Sequence, residues 1–251
     1  MSAVNLSGAR VMLNGRAVLD GADLMLTAGR LTVVVGPNGS GKTTLLRAAL
    51  GLAPLTAGEA RLGGDPVQAL GHRQRAERAA YLPQDRRIAW NMPAVEVAAL
   101  GAPWLSGEAA LEHARGALSL LGADHLAERG VGEMSGGERA RVLLARALTA
   151  QAPVLLADEP TSDLDPDAQL MVLEVLHARA RAGQAVCLSL HDLNLAARYA
   201  DEVVVMHGGR VAAKGAPLDA LTPAVLKVVF GLTGLWVQTP DGPLLSARRA
   251  A

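Results

Sequence analysis

Eight consecutive residues, Gly36-Pro37-Asn38-Gly39-Ser40-Gly41-Lys42-Thr43, have the types and spacing to hold a polyphosphate. They fit the pattern G-x-x-x-x-G-K-[ST], with the apolar run Leu31–Val35 before them and the helix-like stretch Leu45–Leu50 after them. Glycines let backbone N–H groups turn inward, and the start of a helix adds the positive end of its dipole. Lys42 can then reach the β- and γ-phosphates, and the Thr43 hydroxyl can hold Mg²⁺, with Thr44 beside it. A glycine-rich turn with a chance lysine is the plain alternative. Four fixed positions with both flanks correct favour a nucleoside triphosphate site.

Two further segments carry chemistry. Val154–Ala157 is a short apolar run ending in Asp158-Glu159. A buried strand presenting Asp158 could orient Mg²⁺ or its water ligands, and Glu159 could polarise a water for in-line attack on a γ-phosphate. Ser135-Gly136-Gly137-Glu138 precedes the helical pattern Arg139–Thr149. There Ser135 is an N-cap and Glu138 its reciprocal capping-box partner. Capping leaves the two glycines unexplained, since each costs about 1 kcal/mol of helix propensity against alanine. They fit a close approach to the backbone, and a helix N-terminus favours an anion.

The elements that must position these residues follow from the apolar pattern. Runs 31–35, 154–157 and 185–190 lack alternation, as strands buried on both faces of a parallel sheet do. Helical patterns at 42–51, 166–182 and 192–200 follow them, which is the βα alternation of an α/β fold. Ligands in such sheets sit outside the carboxyl ends of the strands, so the three polar ends are expected on one edge. Residues 4–27 alternate and are split at Asn14-Gly15 and Asp20-Gly21, predicting antiparallel strands joined by turns. Residues 87–150 read as a mainly helical insertion, with a long pattern at 108–121. Beyond 201 the sequence predicts a hairpin at 202–214, short helices at 217–221 and 223–230, and a terminal hairpin over 235–245.

Composition narrows the classes. Half of the 251 residues are apolar, which excludes disorder and suits one large domain, or a domain with a subdomain. Acidic and basic residues balance at 24 each, so no overall field recruits nucleic acid or an anionic membrane. The single cysteine, Cys187, lies in an apolar run and reads as core, which fits a reducing compartment. No export signal is visible, and no apolar run approaches the roughly 20 residues of a membrane helix. Any membrane role is expected to pass through a separate chain.

Taken in order, the phosphate loop, Gln84 in Tyr81-Leu82-Pro83-Gln84, Ser135–Glu138, Asp158-Glu159, Ser162-Asp163-Leu164-Asp165 and His191 resemble the motifs of ATP-binding cassette ATPases, the motor subunits of membrane transporters. The resemblance runs from about residue 4 to residue 230. It implies a P-loop α/β core with a mainly parallel sheet (about 1–86 and 151–230), an N-terminal antiparallel β subdomain and an inserted α-helical subdomain (about 87–150). Residues 231–251 form a C-terminal extension. It further implies ATP and Mg²⁺, and a head-to-tail homodimer with each ATP between one phosphate loop and the partner's Ser135 segment. By the same resemblance Gln84 senses Mg²⁺ and the attacking water, His191 contacts the γ-phosphate, and Asp165 contacts the partner. Two departures stand out: Leu13 where an adenine-stacking aromatic is common, which puts strict adenine preference in doubt, and Met134 where leucine is usual.

Ala80–Gln84, Met92–Gly101, His191–Asp201, Leu221-Thr222-Pro223 and Val229-Phe230-Gly231 resemble one subgroup, importers of haem, iron-siderophores or cobalamin. That implies two permease subunits, a periplasmic binding protein, a place on the cytoplasmic face of the inner membrane and no nucleic-acid partner. Arg86, Arg87, Trp90 and Met92 are candidates for the permease-facing surface, with subdomain packing as the alternative. Arg73, Arg75 and Arg78 read as a solvated basic face. The competing readings are a cytosolic cassette acting on ribosomes or DNA, a cassette of another importer or exporter class, and a clamp that hydrolyses ATP poorly. Ribosome and DNA cassettes commonly carry two cassettes, long coiled coils or basic insertions, none of which the sequence has.

Overall fold

In the computed structural model, which describes residues 2–85 and 91–250, Asn14 and Gly15 both have positive φ, 50° and 76°. That is the backbone a tight two-residue hairpin turn needs. It joins β1 (Ser2–Leu13) to β2 (Arg16–Thr27). Asp20-Gly21, expected to be a turn, lies inside β2. The register passes from Ala9↔Ala22 to Arg10↔Asp20, so Gly21, at φ 76°, is the extra residue of a bulge. Asp20 keeps the strand running: its N–H donates to Gly209 O, and its carboxylate pairs with Arg10 and Arg210.

The buried runs form the second sheet. β3 (Leu31–Val35) leads through the phosphate loop to α1 (Lys42–Ala49). Next come β4 (Ala57–Leu62) and β5 (Asp65–Pro66), which complete a four-stranded antiparallel sheet ordered β2-β1-β4-β5. α2 (His72–Arg78) and β6 (Ala79–Leu82) follow. Of the α2 arginines, Arg73 faces solvent and pairs with Glu77 within the helix, whereas Arg75 and Arg78 fasten it, Arg75 on Leu70 O and Arg78 on Leu62 O and Asp65.

Helices α3 (Ala94–Ala99), α4 (Glu108–Leu120) and α5 (Gly136–Thr149) pack on one another, and α5 also meets β6. β7 (Val154–Asp158), α6 (Pro166–Arg181), β8 (Ala185–Ser189), α7 (Leu193–Tyr199), β9 (Glu202–His207) and β10 (Arg210–Gly215) return to the large sheet. Its order is β10-β9-β3-β8-β7-β6, parallel except for the β9–β10 pair.

Strand period 2 sorts this sheet's side chains between two cores. Leu31, Val33, Leu155, Val186 and Val203 join the helices α3–α6, whereas Val34, Leu156, Cys187 and Val204 join α1 and the antiparallel sheet. Both faces are covered, which is why these runs show no alternation. Asp201 Oδ2 accepts the N–H of Leu31 at 2.8 Å and pins the start of β3.

The chain ends in α8 (Pro217–Ala220), α9 (Pro223–Phe230) and a hairpin of β11 (Leu232–Thr239) and β12 (Gly242–Arg249), longer than the expected 235–245. Trp236 Nε1–H donates to Leu221 O at 2.9 Å, and Leu245 N–H donates to Asn194 Oδ1 at 2.6 Å. These bonds hold the hairpin on α7 and on the end of α8. Among the described residues no helix is long and apolar enough to cross a membrane.

Candidate nucleotide-binding site

The three loop glycines serve different ends. A Cβ on Gly36 would lie 2.3 Å from Met206 O, and one on Gly41 would lie 2.9 Å from Val18 O. These two let the loop seat against β9 and β2. Gly39, at φ 77°, has open space where its Cβ would be. Ser40 is buried, and its carbonyl accepts the N–H of Gly209 at 3.1 Å, while Pro37 is half-buried and Asn38 exposed. Thr43 and Thr44 stand half-buried in the first turn of α1.

Lys42 is only 6% exposed, and its ammonium donates to Gly36 O at 2.9 Å and Pro37 O at 3.4 Å. Burial lowers its pKa below the ordinary lysine value, opposed by the nearby Glu159 and Asp158 carboxylates. The loop lysine and the acidic pair therefore share one electrostatic site.

Asp158 ends β7 opposite Ser189, the last residue of β8, and both are fully buried. Ser189 Oγ–H donates to Asp158 Oδ1 at 2.5 Å, and Oγ accepts the N–H of Glu159 at 2.9 Å. Asp158 Oδ2 is buried with no hydrogen-bond partner among the described residues. Glu159 has φ 52°, a left-handed backbone that non-glycine residues adopt at a cost of about 1–3 kcal/mol. Its Oε2 accepts Gln84 Nε2–H at 3.0 Å, and its Oε1 bonds His191 Nε2 at 2.5 Å. Gln84, Glu159 and His191 follow β6, β7 and β8, three neighbours in the parallel sheet. The shared edge expected from the apolar runs is therefore where these side chains meet.

Ser135–Glu138 is placed elsewhere, at the start of α5. Ser135 Oγ accepts Glu138 N–H at 3.2 Å, and Glu138 Oε2 accepts Ser135 N–H at 2.8 Å, completing the capping box. These two bonds, the backbone one first, hold the Glu138 carboxyl below the usual range, with Arg129 adding to the effect. A Cβ on Gly137 would lie 3.3 Å from Asp163 O, and one on Gly136 would lie 3.8 Å from Asp163 Cβ. Part of the close approach implied by the two glycines is thus met by this chain itself. Asp165 caps α6, its Oδ1 accepting Ala168 N–H at 2.8 Å.

A phosphate loop, a carboxylate edge and a glycine-opened helix start, in this order and on this fold, can be compared with known proteins. The ABC transporter family model matches residues 19–162. This chain belongs to the ABC transporter family. It is 44% identical over 230 residues to the hemin import ATP-binding protein HmuV of Streptomyces coelicolor, covering 89% of this chain and 81% of that one. It is 41% identical over 232 residues to the cobalamin import ATP-binding protein BtuD of Halobacterium salinarum, covering 90% of this chain but only 58% of the relative. The fold matches a dimeric, post-hydrolysis structure of the ATP-binding cassette MJ0796 bound to ADP and Pi. There the TM-score is 0.78 at 24% identity, over 85% of this chain and 98% of that one.

In this ABC cassette two features add to the sequence reading. Leu13, at the end of β1 beside the hairpin turn, is 49% exposed. A cavity of about 640 Å³ opens between Tyr81–Asp85 and the helices α3 and α5, lined by Met92, Leu100 and Arg146 among others. Met92 therefore faces a groove. Arg86, Arg87 and Trp90, named with it from the sequence, lie outside the described residues. Sequence reasoning missed Ser189. Its only signal was a polar residue at position 189 inside an otherwise apolar buried run.

Proposed function

We propose that this chain is the ATP-hydrolysing subunit of an importer for haem, iron-siderophore or cobalamin-type substrates. The reaction is ATP and water to ADP and phosphate. The observation that carries it is the Glu159 carboxylate, gripped by Gln84 and His191 beside the buried Lys42. Loop 36–44 cradles the phosphates, and Lys42 exchanges the Gly36 and Pro37 carbonyls for phosphate oxygens. Glu159 accepts the proton of the attacking water as the bond to the γ-phosphorus forms and the bond to ADP breaks. His191 and Gln84 hold that carboxylate in its strained position.

The residues fit a Mg²⁺ ion, because Asp158 Oδ2 is buried without a partner among the described residues. Thr43, Asp158 and Gln84 are the side chains that would hold it. Bound there, such an ion neutralises charge on the phosphate oxygens.

Among the described residues the hydrogen bonds of Ser135 stay within its own capping box rather than reaching the loop at 36–44, which supports the segment's use by a second copy. In the homodimer, Ser135, Gly136, Gly137 and Glu138 of one subunit meet the nucleotide held by the other, and Asp165 faces the seam. In each subunit the groove beside Met92 takes a helix from one of the two permease subunits, placing the protein peripherally at the cytoplasmic face of the membrane. A periplasmic binding protein delivers cargo to that permease. The test is Glu159→Gln. ATP binding persists and phosphate release falls by about 10²–10⁴-fold, the usual span for a general base. Wild-type turnover in that variant would remove Glu159 from the role.

A further inference from the structure

Among the described residues, three side chains fasten the turn that leads into Ser135: Arg129 donates to Glu133 O, Arg139 donates to Val131 O and Met134 O, and Asn91 reaches the turn from the segment just before α3. Asn91 Oδ1 accepts the N–H of Gly132 at 2.9 Å, and Asn91 Nδ2–H donates to Glu133 Oε1 at 3.2 Å. The fit is close: a Cβ on Gly130 would lie 2.2 Å from Asn91 Oδ1, and one on Gly132 would lie 3.0 Å from it. The amide serves both contacts at once, its oxygen accepting from a backbone donor and its nitrogen donating to a carboxylate.

The backbone beside Asn91 follows the same line. Met92 O accepts Val131 N–H at 2.9 Å, Ala94 N–H donates to Arg129 O at 3.0 Å, and Pro93 bridges Gly130. From this turn the contacts continue to the helix start. Arg129 donates to Glu133 O and, at 3.0 Å, to Glu138 Oε1, while Glu138 Oε2 accepts the N–H of Ser135. Met92, next in sequence to Asn91, lines the groove beside Tyr81–Asp85.

We propose that Asn91 is a positioning residue that sets the Ser135 segment for the nucleotide of the neighbouring subunit, and makes that segment move with the wall of the groove. The inference rests on the dimeric ATPase reading above and names how one of its parts is held. Among the described residues, Asn91 hydrogen-bonds to Gly132 and Glu133 and not to the loop at 36–43. Its loss acts on the partner's site and leaves the subunit's own nucleotide affinity alone.

A charge swap tests this. Asn91→Asp keeps the acceptor for Gly132 but sets a carboxylate against Glu133. Adding Glu133→Gln restores one donor and one acceptor across that gap. All variants are made in the Glu159→Gln protein, and ATP-driven dimerisation is followed by sedimentation. Binding of a fluorescent ATP analogue is measured at protein concentrations where the chain is monomeric.

The proposal expects Asn91→Asp to weaken dimerisation by about tenfold, the scale of a lost hydrogen bond to a charged group. The double variant returns to within about twofold of the parent, and the monomer's nucleotide affinity does not move. Asn91→Ala, which adds no charge, gives the same direction and covers the case in which Asn91→Asp fails to fold. Unchanged dimerisation in both Asn91 variants overturns the proposal. So does an equal loss of dimerisation and monomer nucleotide affinity, which is what general loosening produces. A Glu159→Gln parent that binds ATP and stays monomeric defeats the dimer reading itself, and the proposal with it.

Discussion

At the scale of single residues the site is a set of charges removed from water and held by few partners. Lys42 is desolvated and its ammonium is parked on two carbonyls, so a phosphate can take it without paying a fresh burial penalty. Lys42→Ala is expected to weaken ATP binding by about 10–100-fold, the worth of a charge-assisted hydrogen bond, as read by equilibrium binding of labelled nucleotide. Ser189 supports both acidic residues at once. Ser189→Ala leaves Asp158 Oδ1 and the Glu159 N–H without their partner in a buried place, and should lower stability by about 1–3 kcal/mol in urea unfolding. Of these residues the loop and the acidic pair were legible in sequence, because fixed spacing reflects local backbone needs. The grip of Gln84 and His191 on Glu159 was not. It joins positions 84, 159 and 191 through sheet order, which no local pattern encodes.

Among the elements, starts and stops were the most readable features. Thr222-Pro223 opens α9, with Thr222 Oγ1 accepting Val225 N–H, and Gly231 closes it at φ 66°. Asp165-Pro166 opens α6 in the same way. Asp20-Gly21 misled because the same dipeptide serves a turn or a bulge, and the choice is made by Arg10 and Arg210 from other strands and by Gly209 from the β9–β10 turn. The start of α5 gives a prediction at this scale. Ser135→Ala removes an N-cap worth about 1 kcal/mol, a modest loss in thermal unfolding. Under the proposed dimer, in which Ser135 also serves the partner's nucleotide, phosphate release should fall by far more than that loss accounts for. Equal small losses in both readouts would reduce Ser135 to a cap. Gly41→Ala tests the loop's seat: φ 102° and Val18 O 2.9 Å from the new Cβ leave it no room, so nucleotide binding should be lost.

For the whole molecule, one sheet with two covered faces ties the phosphate loop to the antiparallel sheet on one side and to the helical layer on the other. Sequence patterning gave the buried strands and the helical region, since burial on both faces removes alternation. It did not give the full extent of the terminal hairpin, which is held by Trp236 and Asn194 and leaves Leu235, Val237 and Leu244 exposed. The central claim is that two copies complete each other's site. It is tested most directly by phosphate release per subunit as protein concentration is varied at saturating Mg-ATP. The account predicts that specific activity rises with concentration until dimers dominate, and is lower at every concentration in Lys42→Ala. Specific activity that stays constant on dilution to the monomer would contradict it.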